Sequence, residues 1–159
     1  MTERKKAVSC FGHREIAPID IVKLKNDLYK TLEQQIANDF EIFLSGGRSE
    51  FDDLFASVVR TLKNSYSHIK LILVEPYFSN SLNLNKQYYD IMYDSIIVPD
   101  ELANVHYKKA ITLRNQWMID NSDLVISYVT RNYGGAYRSI KYAAQKNICV
   151  INFGESYLF

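Results

Sequence analysis

The sequence predicts a three-layer α/β fold, a mainly parallel sheet with helices on both faces. Three observations carry this expectation. Short apolar runs alternate with segments whose apolar residues recur at spacings of three and four. The run over 69–74 is almost unbroken, as a strand covered on both faces requires. The 159 residues include only 6 Gly and 3 Pro against 12 Tyr, 8 Phe and 1 Trp, so breakers are few and regular elements long.

A first strand covers 6–11 and stops at Gly12. Pro18 opens an amphipathic helix with Ile21, Leu24, Leu28, Leu32 and Ile36 on one face, reaching about Asn38. A second strand over 40–44 ends at Ser45-Gly46-Gly47. Phe51, Leu54, Phe55, Val58, Val59 and Leu62 then repeat at helical spacing. Pro76 ends the third strand. Residues 77–85 are rich in Asn and Ser and read as a surface loop. A short helix over 88–93 and a brief apolar run over 95–98, stopped by Pro99, lead to a long helix over 105–121. A strand over 124–128, a break at Asn132-Tyr133-Gly134-Gly135, a helix over 136–146 and a last strand over 148–153 complete the pattern. The tail from Glu155 is too short for a domain. No repeat, low-complexity tract or linker interrupts the chain, so one domain over 1–159 is expected.

Charge and composition exclude several classes. Lys and Arg total 19 and Asp and Glu 18, a formal net charge of +1. That balance argues against a nucleic-acid partner, which draws on a basic surplus or face. Cys10 and Cys149 both sit in runs that read as buried strands, where a free thiol acts as a small apolar group. Two cysteines make neither a disulfide framework nor a zinc site, so no metal is expected. Residues 1–6 are charged and lack an apolar stretch of signal-peptide length, and no run approaches the ~20 residues of a membrane span. A cytoplasmic protein without a membrane partner is expected. Exposed-looking aromatics at Tyr88, Tyr89 and Tyr93 make a homodimer plausible.

In open parallel sheets, ligands bind beyond the carboxyl ends of the strands. Three glycine-bearing turns fall there: Gly12-His13-Arg14, Ser45-Gly46-Gly47 and Gly134-Gly135. Two of them lead into helices, whose N-termini favour anions. Arg14, Arg48, Arg131 and Arg138 lie in or beside these turns, so a phosphate-bearing ligand fits. Neither a Gly-x-Gly-x-x-Gly run nor a Walker A loop is present. Each turn alone reads as a cap; three at one edge read as a site. His13 suits a general acid/base or, better, a hydrogen-bond donor that positions a ligand. Asp52 either complements the dipole of its helix or accepts from ribose hydroxyls or a base edge. Tyr133 and Tyr137 flank the last turn, where a base could stack. Leu113, Trp117 and Met118 read as core on the long helix. Arg114 reads there either as a surface arginine or as a phosphate ligand with suitable fork geometry.

Phe11-Gly12-His13-Arg14, Ser45-Gly46-Gly47 with Phe51-Asp52, the segment from Arg114 to Asp123, Gly134-Gly135-Ala136 and Tyr142-Ala143 together resemble the SLOG superfamily. This is the Rossmann-like group of the DprA/Smf proteins and the LOG phosphoribohydrolases, and the YpsA-like branch is the most similar. The resemblance spans nearly the whole chain. It implies a Rossmann-like sheet binding a nucleotide or nucleotide-derived phosphate ligand, with no other cofactor. It places Gly12, His13, Arg14, Ser45, Gly46, Gly47, Asp52, Arg114, Asn115, Gly134, Gly135 and Ala136 at the ligand. It also implies a sensor or regulator in a stress, cell-division or defence pathway. LOG enzymes cleave the N-glycosidic bond of nucleoside monophosphates with a Pro-Gly-Gly-x-Gly-Thr-x-x-Glu run after a helical Arg. Arg114 matches that Arg, and Gly134 and Gly135 match the glycine pair. Tyr137 and Arg138 stand in place of Gly-Thr, and Lys141 stands in place of the Glu. Hydrolysis of that type would need Asp52 or Glu50 as the carboxylate, with Arg114 beside it.

Overall fold

A computed structural model describes residues 4–158. The N-terminal charge reading at residues 1–3 and the last residue of the tail lie outside them. The strands are β1 (Lys6–Gly12), β2 (Phe40–Ser45), β3 (Lys70–Val74), β4 (Ser95–Ile97), β5 (Leu124–Tyr128) and β6 (Cys149–Asn152). The helices are α1 (Ile21–Ala37), α2 (Glu50–Lys63), α3 (Asn80–Leu84), α4 (Lys86–Met92), α5 (Tyr107–Asp120) and α6 (Gly135–Gln145). The expected strands and the four long helices all form. The stretch read as a surface loop carries the one-turn helix α3, all of whose residues stay at least partly exposed.

All six strands are parallel, in the order β4-β3-β2-β1-β5-β6. The chain moves outward from β1 to β4, then crosses back through α5 to place β5 on the other side of β1. The strand order therefore switches between β1 and β5, the position where such sheets open a crevice at their carboxyl edge. Successive side chains of a strand point to opposite faces. Val8, Cys10, Phe43, Leu71 and Ile126 pack with Leu24, Leu28, Leu32 and Ile36 of α1 and with Phe51, Phe55, Val59 and Leu62 of α2. Phe11, Leu44, Val74 and Val125 pack on the opposite face with Met118 and Ile119 of α5 and Ala143 of α6. These two cores make the three layers of a Rossmann-like fold.

Two expected burials and one expected exposure do not hold. Cys149 is exposed, because β6 is an edge strand with thinner cover. Ile21 begins α1 with 39% of its surface exposed, one turn before the stripe reaches the sheet. Tyr93 is half-buried and packs against the α1–α2 core, so it does not belong to an exposed aromatic patch, whereas Tyr88 is exposed. No helix among the described residues is long and apolar enough to cross a membrane.

Candidate functional site

At the switch point the carboxyl ends of β1, β2 and β5 meet the N-termini of α2 and α6. Close packing dictates the first turn. A Cβ on Gly12 would lie 2.3 Å from Cβ of Phe51, so only glycine lets α2 begin against the end of β1. Gly47 turns the chain at φ +66, in the left-handed region that favours glycine. Ser49 caps α2, its Oγ accepting from the Asp52 N–H at 3.0 Å. Glu50 ties two loops together: its N–H donates to the Arg14 carbonyl (2.9 Å) and its Oε2 accepts from the Ile16 N–H (2.6 Å). That carboxylate braces the β1–α1 loop, and Glu50 is not among the residues lining the cleft.

The floor of the cleft is a cluster of charges. Arg114 is 97% buried, on the same face of α5 as Ala110 and Met118 rather than on the surface. Its Nη1 donates to the carbonyls of Val74 (2.8 Å) and Gly46 (3.3 Å), and its Nε to Asn115 Oδ1 (2.9 Å). It thereby joins the ends of β2 and β3. A Cβ on Gly46 would come within 3.0 Å of the guanidinium carbon, so Gly46 makes room for this group. Asp52 is buried too, accepting from the Arg48 N–H (2.9 Å) and from the Cys10 thiol (3.5 Å). Burial pushes the Asp52 carboxyl above its ordinary value, with the Arg48 N–H and Arg114 opposing. Glu75, buried at the end of β3, bonds Arg48 Nη2 through Oε2 (3.2 Å), and burial pushes its carboxyl up as well. Burial pulls Arg114 below its ordinary value, while Asp52 and Glu75 favour its charge.

His13 accepts a backbone hydrogen bond through one ring nitrogen, which leaves the other as its donor. The Thr130 N–H donates to its Nε2 at 3.0 Å, which requires a neutral ring with its proton on Nδ1. Burial, and then Arg131, lower its pKa.

The resulting cleft holds about 270 Å³. Of the residues picked from the sequence, Gly12, His13, Arg14, Gly46, Asp52, Arg114, Asn115, Gly135 and Ala136 line it. Ser45, Gly47 and Gly134 are not among the lining residues. Ser45 is fully buried and accepts the Gly47 N–H (3.2 Å), and Gly134, at φ +97, caps α6. Tyr133 and Tyr137 are not in the lining; Tyr133 stacks under Arg131 instead. Sequence reasoning missed Cys10, Ser49, Ile111 and Glu75. Glu75 carried a usable signal, a charged residue directly after an apolar strand. Four arginines, at 14, 48, 114 and 131, line the cleft, and Asp52 is the single acidic residue in the lining among the described residues. No group of three or more metal-ligating side chains occurs among them.

Sheet order and switch-point cleft define a Rossmann-like α/β protein. The family model YpsA, described as the YspA SLOG family, matches residues 10–151, and the chain belongs to that family. The uncharacterized SPbeta prophage-derived protein YoqJ of Bacillus subtilis (strain 168) is 26% identical over 142 residues, covering 77% of this chain and 81% of that protein. Among solved structures, DNA processing protein A of Helicobacter pylori superposes with a TM-score of 0.61 at 19% identity over 94% of this chain. The work on that protein concerns its single-stranded DNA binding mode. DNA processing protein A of Streptococcus pneumoniae gives 0.63 at 13% identity over 93% of this chain. The chain spans 65% and 50% of those two proteins. The molybdenum cofactor carrier protein of Chlamydomonas reinhardtii gives 0.56 at 17% identity, covering 95% of this chain and 78% of that one. Identities this low speak for the fold alone.

Proposed function

We propose that the protein binds a nucleotide or nucleotide-derived phosphate ligand in the switch-point cleft and acts as a sensor or regulator. One observation carries this reading: Arg14, Arg48, Arg114 and Arg131 converge on a cleft that also receives the first residues of α6. Guanidinium forks and helix N–H groups are the donors that phosphate oxygens take. Arg114 is held in place before any ligand arrives, so little side-chain entropy remains to be lost on binding. A volume of about 270 Å³ lies at the small end of the ~300–1,000 Å³ of ligand pockets, which suits a mononucleotide better than a dinucleotide. Lys141, in the position of the LOG glutamate, is exposed and packs on Tyr137, so it brings no carboxylate to the cleft.

Asp52 supports a second reading, a nucleoside monophosphate N-glycosidase. Its carboxyl lines the cleft, and burial biases it toward the protonated form that a general acid needs. A nucleotide panel followed by thermal shift and by release of free base separates the two. The binding reading expects a shift without base release. Base release abolished by Asp52→Ala would establish the enzyme instead, and no shift with any nucleotide would defeat both. Retardation of single-stranded DNA is a third arm; with a net charge of +1, none is expected.

A further inference from the structure

Beyond His13 and Arg131 lies a second hollow of about 320 Å³, bordered also by Ile16, Pro18, Tyr128 and Tyr157. His13 and Arg131 line both this hollow and the cleft, so the two spaces meet along those side chains. His13 is only 6% exposed, and its Nε2 is taken by the Thr130 N–H. No described group accepts from its Nδ1–H, yet no side-chain nitrogen or oxygen sealed from solvent lacks a partner among the described residues. Nδ1 is therefore open to solvent, and the spaces beside His13 are the cleft and the hollow. A fixed, unpartnered donor thus stands where the two meet. The aromatic wall of the hollow is fixed as well. The Tyr128 and Tyr157 hydroxyls both donate to Asp20 Oδ2, at 2.7 and 2.6 Å, which anchors the rings by their tips. Tyr157 keeps 49% of its surface exposed, so carbon surface remains open there to a flat ring. Glu15 and Thr130 also border the hollow, so acceptors and donors are both at hand and no single base edge is favoured. The hollow between α5 and α6 is less suited: it holds about 160 Å³, and Tyr142 is the one aromatic residue at its border.

We infer that a nucleoside monophosphate spans the two spaces, its phosphate among the cleft arginines, its ribose passing His13 Nδ1 and its base in the hollow against Tyr157. This rests on the cleft being a phosphate site. The cleft alone, at about 270 Å³, falls short of the ~300–1,000 Å³ of ligand pockets, and cleft and hollow together fall within it. Stacking on an aromatic side chain tolerates any base, because every base has a π face. The tyrosines that serve are not Tyr133 and Tyr137, which flank the last glycine turn and line neither space.

The test is calorimetric titration of the full chain with AMP, CMP, GMP, UMP and ribose 5-phosphate, repeated on Tyr157→Ala and Tyr157→Phe. The nucleotides are expected to bind roughly tenfold or more tightly than ribose 5-phosphate, which has no base to stack. Tyr157→Ala removes that advantage without weakening ribose 5-phosphate. Tyr157→Phe, which keeps the ring and loses the bond to Asp20, restores it. Melting curves establish that each variant is folded. Tyr157→Trp gives an independent reading: the nucleotides quench its emission and ribose 5-phosphate does not, measured against the native protein, whose one tryptophan is Trp117. A native-sized advantage in folded Tyr157→Ala, or unquenched emission in Tyr157→Trp, overturns the inference. So does an advantage lost equally in Tyr157→Phe, which would make Tyr157 a brace for Asp20 and not a wall for the base. Ribose 5-phosphate binding as tightly as every nucleotide overturns it too, while leaving the cleft reading intact. If neither ribose 5-phosphate nor any nucleotide binds, both fall.

Discussion

Arg114 shows what a single residue's setting does to its meaning. On helical periodicity it is a polar residue beside Leu113, Trp117 and Met118, and either a surface or a ligand role fits. In the fold it is buried, bonded to two strand-end carbonyls and flanked by Asp52 and Glu75. A buried cation is tolerable only with such company. His13 carries the clearest pH signature. Its Nε2 can accept the Thr130 N–H only while the ring is neutral. Its pKa in the fold lies below the ordinary value, so folding favours the neutral ring. That contribution is complete above about pH 6.5 and is lost as the pH falls through the lower, folded-state value. Thermal melts between pH 5 and 7.5 should therefore show the native protein losing stability relative to His13→Gln as the pH drops. A constant difference between the two would contradict this. The sequence made the position of His13 legible, but not its tautomer: which ring nitrogen accepts and which donates depends on a backbone N–H 117 residues away.

Among the elements, α2 does most to shape the cleft. Its first turn carries the Ser49 cap, the Glu50 brace and the Asp52 carboxyl, and Phe51 presses on Gly12. The acidic first turn and the Arg60 and Lys63 of its last turn complement the helix dipole, so its boundaries were readable from local chemistry. The reason Gly12 is glycine was not readable, because Phe51 lies far off in sequence. Gly12→Ala must displace the start of α2, and a loss of about 1–3 kcal/mol is expected in denaturant unfolding, typical of overpacked sites. A stability equal to that of the native protein would show that α2 can shift freely. The loop expected over 77–85 failed for a related reason: α3 is one turn long, too short to leave a periodic signal.

Across the whole molecule, protection should follow the layers. β1 and β5 lie inside the sheet and are covered on both faces, whereas α3 and α4 bury no residue fully. Native-state amide exchange is expected to be slowest in β1 and β5 and fastest over 80–92, since openings there break few apolar contacts. Equal protection in the two regions would contradict the layered core. The sequence by itself determined the six strands and the four long helices, and that three glycine turns stand at strand ends. Those features depend on periodicity and on backbone freedom within a few residues. Only the tertiary structure decided the strand order, and with it the place of the cleft. It also decided that Arg114 is buried, that Glu50 braces a loop, and that Glu75 joins the charged floor. Each of these depends on contacts between residues distant in the chain. The energy of a buried charge or of a tight glycine contact is set by such neighbours, and no local pattern records them.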